Sequence, residues 1–112
     1  MRELNFNFNF KKHEENLFIC EDQIKQTWHY DPQVEDHVLT VTALITENSV
    51  VEKIIPDKCY VEHNLKLNYR PVNDSGMVCG SVAVFEIQFI ISNLKHMRPY
   101  EISLNNLAKI SG

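Results

Sequence analysis

Residues 80–92 read Gly80-Ser81-Val82-Ala83-Val84-Phe85-Glu86-Ile87-Gln88-Phe89-Ile90-Ile91-Ser92, and this stretch decides the fold. Strict alternation puts Ala83, Phe85, Ile87, Phe89 and Ile91 on one face of an extended strand. Val82, Val84, Glu86, Gln88 and Ile90 fall on the other. Glu86 and Gln88 interrupt an apolar run that is already far short of the ~20 residues a membrane-spanning helix needs. A strand with apolar side chains on both faces belongs in the middle of a sheet, its second face covered by another element or by a second subunit.

Working outward, 36–47 repeats the pattern, with Leu39, Val41, Ala43 and Ile45 alternating with Thr40, Thr42, Leu44 and Thr46. Residues 59–70 place Cys59, Val61, His63, Leu65, Leu67 and Tyr69 on one face and a polar set on the other. Between this segment and the first lies Pro71-Val72-Asn73-Asp74-Ser75-Gly76, a turn by composition. A long hairpin spanning 59–91 is therefore expected. At the N-terminus Leu4-Asn5-Phe6-Asn7-Phe8-Asn9-Phe10 alternates strictly, giving a half-buried strand whose edge Lys11 and Lys12 protect. Residues 16–20 form a short apolar run fit for a strand. Residues 21–30 suit a helical turn or a strand equally, until Pro32 interrupts. After Pro99, Ser103 is placed to cap a short C-terminal helix carrying Leu104, Leu107 and Ala108.

The composition agrees with sheet. Among 112 residues there are ten Val, ten Ile and 11 aromatics against three Ala and three Gly. The fold class expected is mainly β (a β-rich α+β domain): an antiparallel sheet or small sandwich of five to six strands, with at most one or two short helices. One domain covers 1–112, since a chain of this size buries a little over ~60% of its unfolded surface and leaves little room for a deep cleft.

Function classes narrow by exclusion. The net charge of −4 and the scattered basic residues give no direct nucleic-acid surface. Met1-Arg2-Glu3-Leu4-Asn5-Phe6 lacks the continuous apolar region of a secretory signal, so a cytoplasmic protein without a membrane partner is expected. Cys20, Cys59 and Cys79 have no metal or disulfide spacing and read as buried thiols, although Cys59 and Cys79 flank the expected hairpin and would form a redox-responsive pair if adjacent. With three glycines in all, there is no phosphate-cradling loop, and no nucleophile elbow is present. Asn73-Asp74-Ser75 matches a glycosylation sequon, but its turn-forming role explains it.

The densest polar cluster is His29-Tyr30-Asp31-Pro32-Gln33-Val34-Glu35-Asp36-His37. His29, Asp31 and His37 carry the side chains of a two-histidine, one-carboxylate iron site. A solvated loop entering a strand accounts for the same cluster. His63, lying between Val61 and Leu65, reads as a histidine satisfied within an apolar face.

The order of features resembles the SecB-like export chaperones: an aromatic-rich strand, a tryptophan segment at Trp28, a long Val/Thr strand over 38–46, and an amphipathic hairpin within 60–91. That family's long C-terminal helix has no counterpart after Pro99. The resemblance implies an oligomer gripping extended, unfolded segments on apolar grooves.

The reading of the residues themselves is a non-enzymatic interaction module without a cofactor. It binds another protein through a sheet face or edge, and self-associates into a homo-oligomer through Phe6, Phe8 and Phe10 or through Val82, Val84 and Ile90. A small metal-dependent enzyme built on His29, Asp31 and His37 is the alternative from a different class.

Overall fold

The computed structural model describes residues 1–13, 24–73, 80–105 and 107–109. The fold is mainly β, as expected, but it is divided into more and shorter strands than the five to six expected. Among these residues the chain forms eleven strands and no helix: β1 (Arg2–Glu3), β2 (Phe6–His13), β3 (Ile24–Asp31), β4 (Asp36–Asn48), β5 (Lys53–Pro56), β6 (Tyr60–Val61), β7 (Leu65–Leu67), β8 (Tyr69–Val72), β9 (Val82–Ile91), β10 (Ile102–Leu104) and β11 (Leu107–Lys109). They make a four-stranded sheet of order β2-β9-β4-β3, a five-stranded sheet of order β1-β6-β7-β10-β11, and a ribbon of β5 with β8.

β9 takes the central place that its two-faced pattern demands. It is antiparallel to β2 on one side, with Phe8 opposite Phe89, and to β4 on the other, with Val41 opposite Phe89. Phe85, Ile87, Phe89 and Ile91 are buried together with Leu39, Val41, Ala43 and Ile45. Cys59, Val61, Leu65, Leu67, Ile102 and Leu104 complete the same hydrophobic cluster from the segments on its far side. The result is a small sandwich, in which each sheet hides its apolar face on the other.

The chain passes between the sheets at Leu4 and Asn5. Leu4 is buried, and its amide donates to the Cys59 carbonyl at 2.8 Å. Asn93 clamps this corner, accepting from the Asn5 amide at 2.9 Å and donating to the Glu3 carbonyl at 3.1 Å, while Arg2 donates to the Asn93 carbonyl. The Leu4 and Asn5 amides and the Glu3 carbonyl, freed by the change of sheet, thus find partners.

The hairpin expected over 59–91 does not form. Its first limb is broken into β6, β7 and β8, which belong to two other sheets, and none of them pairs with β9. The cause lies in its polar residues. Glu62-His63-Asn64 bends, with the Glu62 amide donating to the Asn64 carbonyl at 3.0 Å, and this turns His63 out to solvent instead of into the apolar face. Asn68 breaks the limb again, its side chain donating to the Lys58 carbonyl at 2.8 Å. Val61, Leu65 and Leu67 keep their inward direction, so the periodicity reads the face correctly and the partner wrongly. Residues 74–79, the expected turn, lie outside the described residues, as does the apolar run 16–20.

The expected C-terminal helix is a second correction. Ser103 caps nothing: it lies within β10, which pairs parallel with β7 and antiparallel with β11. Its hydroxyl accepts from Asn64 Nδ2 at 2.9 Å. Leu104 sits opposite Leu107, so only Asn105-Asn106 connects the strands, and Asn105 takes the positive φ of 51° that a two-residue connection requires. The segment 24–30, open to either reading, is strand, because pairing along all of β4 outweighs one turn's worth of Ile24 and Trp28. No helix among the described residues is long and apolar enough to cross a membrane.

Candidate functional site

The nine-residue polar cluster is the tip of a hairpin. β3 and β4 pair from Ile24 opposite Ala43 to Asp31 opposite Asp36, and Pro32-Gln33-Val34-Glu35 close the turn. Asp31 Oδ1 accepts from the Gln33 amide at 2.9 Å, and Glu35 carries the turn through a φ of 56°. β9 makes its last pair with β4 at Leu39, so the hairpin runs on beyond it as a two-stranded finger. Tyr30 is 54% exposed and Val34 50% exposed, two large apolar side chains at the end of that finger.

The register separates the candidate metal ligands. His37 lies opposite Tyr30, and their rings meet edge to face with centroids 5.5 Å apart. His29 and Asp31, one residue to either side of Tyr30, therefore project to the other face. Among the described residues no group of three His, Cys, Asp or Glu side chains is placed to hold a metal ion. Asp31 instead faces Asp36, a carboxylate directly opposite a carboxylate.

β3 closes the four-stranded sheet on this side, with no described strand beyond it. Its inward side chains are anchored. Gln26 reads the backbone of Tyr100 like a peptide group, accepting from its amide at 3.0 Å and donating to its carbonyl. Trp28 donates to the Arg98 carbonyl at 3.3 Å, and its ring lies 6.4 Å from that of Tyr100. The outward residues Lys25, Thr27 and His29 are exposed. None of the ion pairs among the described residues uses Lys25 or Asp31.

The opposite edge is guarded. Lys12 on β2 donates to the carbonyls of Ser49 at 2.8 Å and Val51 at 2.9 Å, with Glu52 at 3.6 Å. The sequence marks Lys12 only as an edge charge; nothing in its spacing points to that turn. Phe6 and Phe8 are half-buried against Phe89, at centroid distances of 5.4 and 5.0 Å, and Phe10 remains 41% exposed beside Phe85. Val82, Val84 and Ile90 share the other face of the sheet but make no common patch: Val82 is 66% exposed, Ile90 half-buried and Val84 buried, with Glu86 and Gln88 between them.

Cys59 lines a cleft of about 360 Å³ with Glu3, Leu4, Phe6, Pro56, Asp57 and Lys58. Its thiol is fully buried, and burial pushes its pKa up to about 11, against a hydrogen bond from the Asn68 amide at 3.3 Å that favours the thiolate. A thiol held neutral in this way is no nucleophile at pH 7. Cys79 lies outside the described residues, so the redox pair has no geometry to examine. A wider depression of about 550 Å³ between Asp57, Lys58, Tyr60, Asn68 and Asn105 holds one carboxylate, and that carboxylate faces Arg70 at 3.5 Å. Neither hollow sets a nucleophile beside a base.

No protein-family model, no curated protein and no solved structure matches the chain. The hairpin within 60–91 on which the likeness to SecB-like chaperones partly rested is not formed.

Proposed function

We propose that the chain is a non-enzymatic protein-interaction module whose contact surface is the β3 side of the four-stranded sheet, including the finger at 29–37. The observation that carries this reading is the finger itself. It projects past β9, presents Tyr30 and Val34 to solvent, and continues into a sheet edge that no described strand covers. Exposed aromatic anchors and open strand edges are both recurring means by which a sheet protein holds another chain.

The test is capture from the native host, with the wild-type chain and a Tyr30→Ser/Val34→Ser variant as baits. The wild-type chain is expected to retain a stoichiometric polypeptide that the variant loses, while His63→Ser, altered on the five-stranded side, retains it. Identical retention by wild type and finger variant, or none by either, contradicts the reading.

A further inference from the structure

We propose that β3 pairs antiparallel with β3 of a second copy about a two-fold axis at Trp28, joining two four-stranded sheets into one of eight strands. This rests on the β3 side being the contact surface and names the partner and the register. In an antiparallel pair, alternate residues direct both backbone groups toward a given neighbour. A two-fold axis must therefore pass through a residue, not between two, for outward groups to meet outward groups.

Three centres are then available near the middle of β3, and the side chains choose among them. Centred on Trp28, Lys25 lies opposite Asp31 of the second copy, Gln26 opposite Tyr30, and Thr27 opposite His29. Both charges are matched, and matched twice by symmetry. Centred on Thr27, Lys25 meets His29, and the position opposite Asp31 is residue 23, outside the described residues. Centred on His29, Lys25 runs off the end of the strand.

Two features of the single chain favour the Trp28 register. Asp31 faces Asp36 within its own hairpin, so a lysine arriving from the second copy relieves a like-charge pair. Tyr30, exposed at 54%, comes beside Gln26 and diagonal to Trp28 of the second copy, which covers its ring. Lys25 also gives specificity: a lysine on an open edge repels generic strand addition, and here the one strand that meets it with a carboxylate is its own. The β2 edge has no such match, since Lys11, Lys12 and His13 include no acid.

Lys25 and Asp31 stand six residues apart on one strand, ~20 Å at strand rise, too far to touch within one copy. Charge exchange therefore separates pairing between copies from local effects. By sedimentation equilibrium, Lys25→Asp and Asp31→Lys are each expected to weaken the dimer by roughly tenfold or more, from two like-charge contacts apiece. The double exchange is expected to restore it. As a second measurement, Thr27→Cys and His29→Cys chains, in a Cys20→Ser/Cys79→Ser background, are expected to form a mixed disulfide under oxidation that neither forms alone. A monomer at high micromolar concentration, a dimer indifferent to the single exchanges, or single losses that the double exchange does not restore overturns the proposal. Loss of the dimer with capture by the finger intact overturns this pairing alone, whereas loss of capture in the Tyr30→Ser/Val34→Ser variant with the dimer intact overturns the reading above.

Discussion

Cys59 and Glu35 show how far single residues obey their surroundings. Burial holds the Cys59 thiol neutral, its folded pKa raised from 9.0 to about 11. A group whose folded pKa is raised contributes stability that is intact below its unfolded pKa and is lost as pH rises through the folded one. Wild type is thus expected to lose stability relative to Cys59→Ala between pH 9 and 11, read by denaturant unfolding at each pH. Under native conditions at pH 7 the thiol is expected to resist a thiol reagent that modifies it at once after unfolding. Glu35 is a non-glycine residue with a φ of 56°, and Glu35→Gly is expected to stabilise the chain by about 0.5 to 1 kcal/mol by removing that strain.

Among the elements, β9 carries the core, and its two faces were legible though its neighbours were not. Its alternation gave the central position and the inward face that buries Phe85, Ile87, Phe89 and Ile91; Val84, buried on the other face, lay outside that set. Phe89→Ala is expected to cost about 3 to 5 kcal/mol in thermal or denaturant unfolding, and Val82→Ala, on the exposed end of the same strand, within about 0.5 kcal/mol. Pairing was not legible, because period two tells which face a residue takes and not which strand lies beside it. That is why 59–91 reads as a hairpin from its turn chemistry although β9 pairs with β2 and β4. The bend at Glu62-His63-Asn64 is closed locally but receives Arg98 on the His63 carbonyl, and the clamp at Asn93 reaches the Glu3 carbonyl, contacts over 30 or more residues that no local pattern records. The two-residue connection Asn105-Asn106 was readable in principle, since Asn tolerates positive φ, but Ser103 outweighed it as a cap.

For the whole molecule, the same nine residues that suggest a metal site prove to be the finger of a sheet. Their chemistry was visible in the sequence; their disposition on two faces was fixed only by the pairing of His37 with Tyr30. Among the described residues the open feature is the edge of β3, with a lysine at one end and Asp31, opposite Asp36, at the other. The most direct measurement of its role is amide hydrogen exchange in β2 and β3 at low and high protein concentration. The alternate β3 amides of 25–31 that point away from β4 are expected to slow as concentration rises while those of β2 stay unchanged. Exchange in β3 that is the same at every concentration, or protection that appears on β2 instead, would contradict the account.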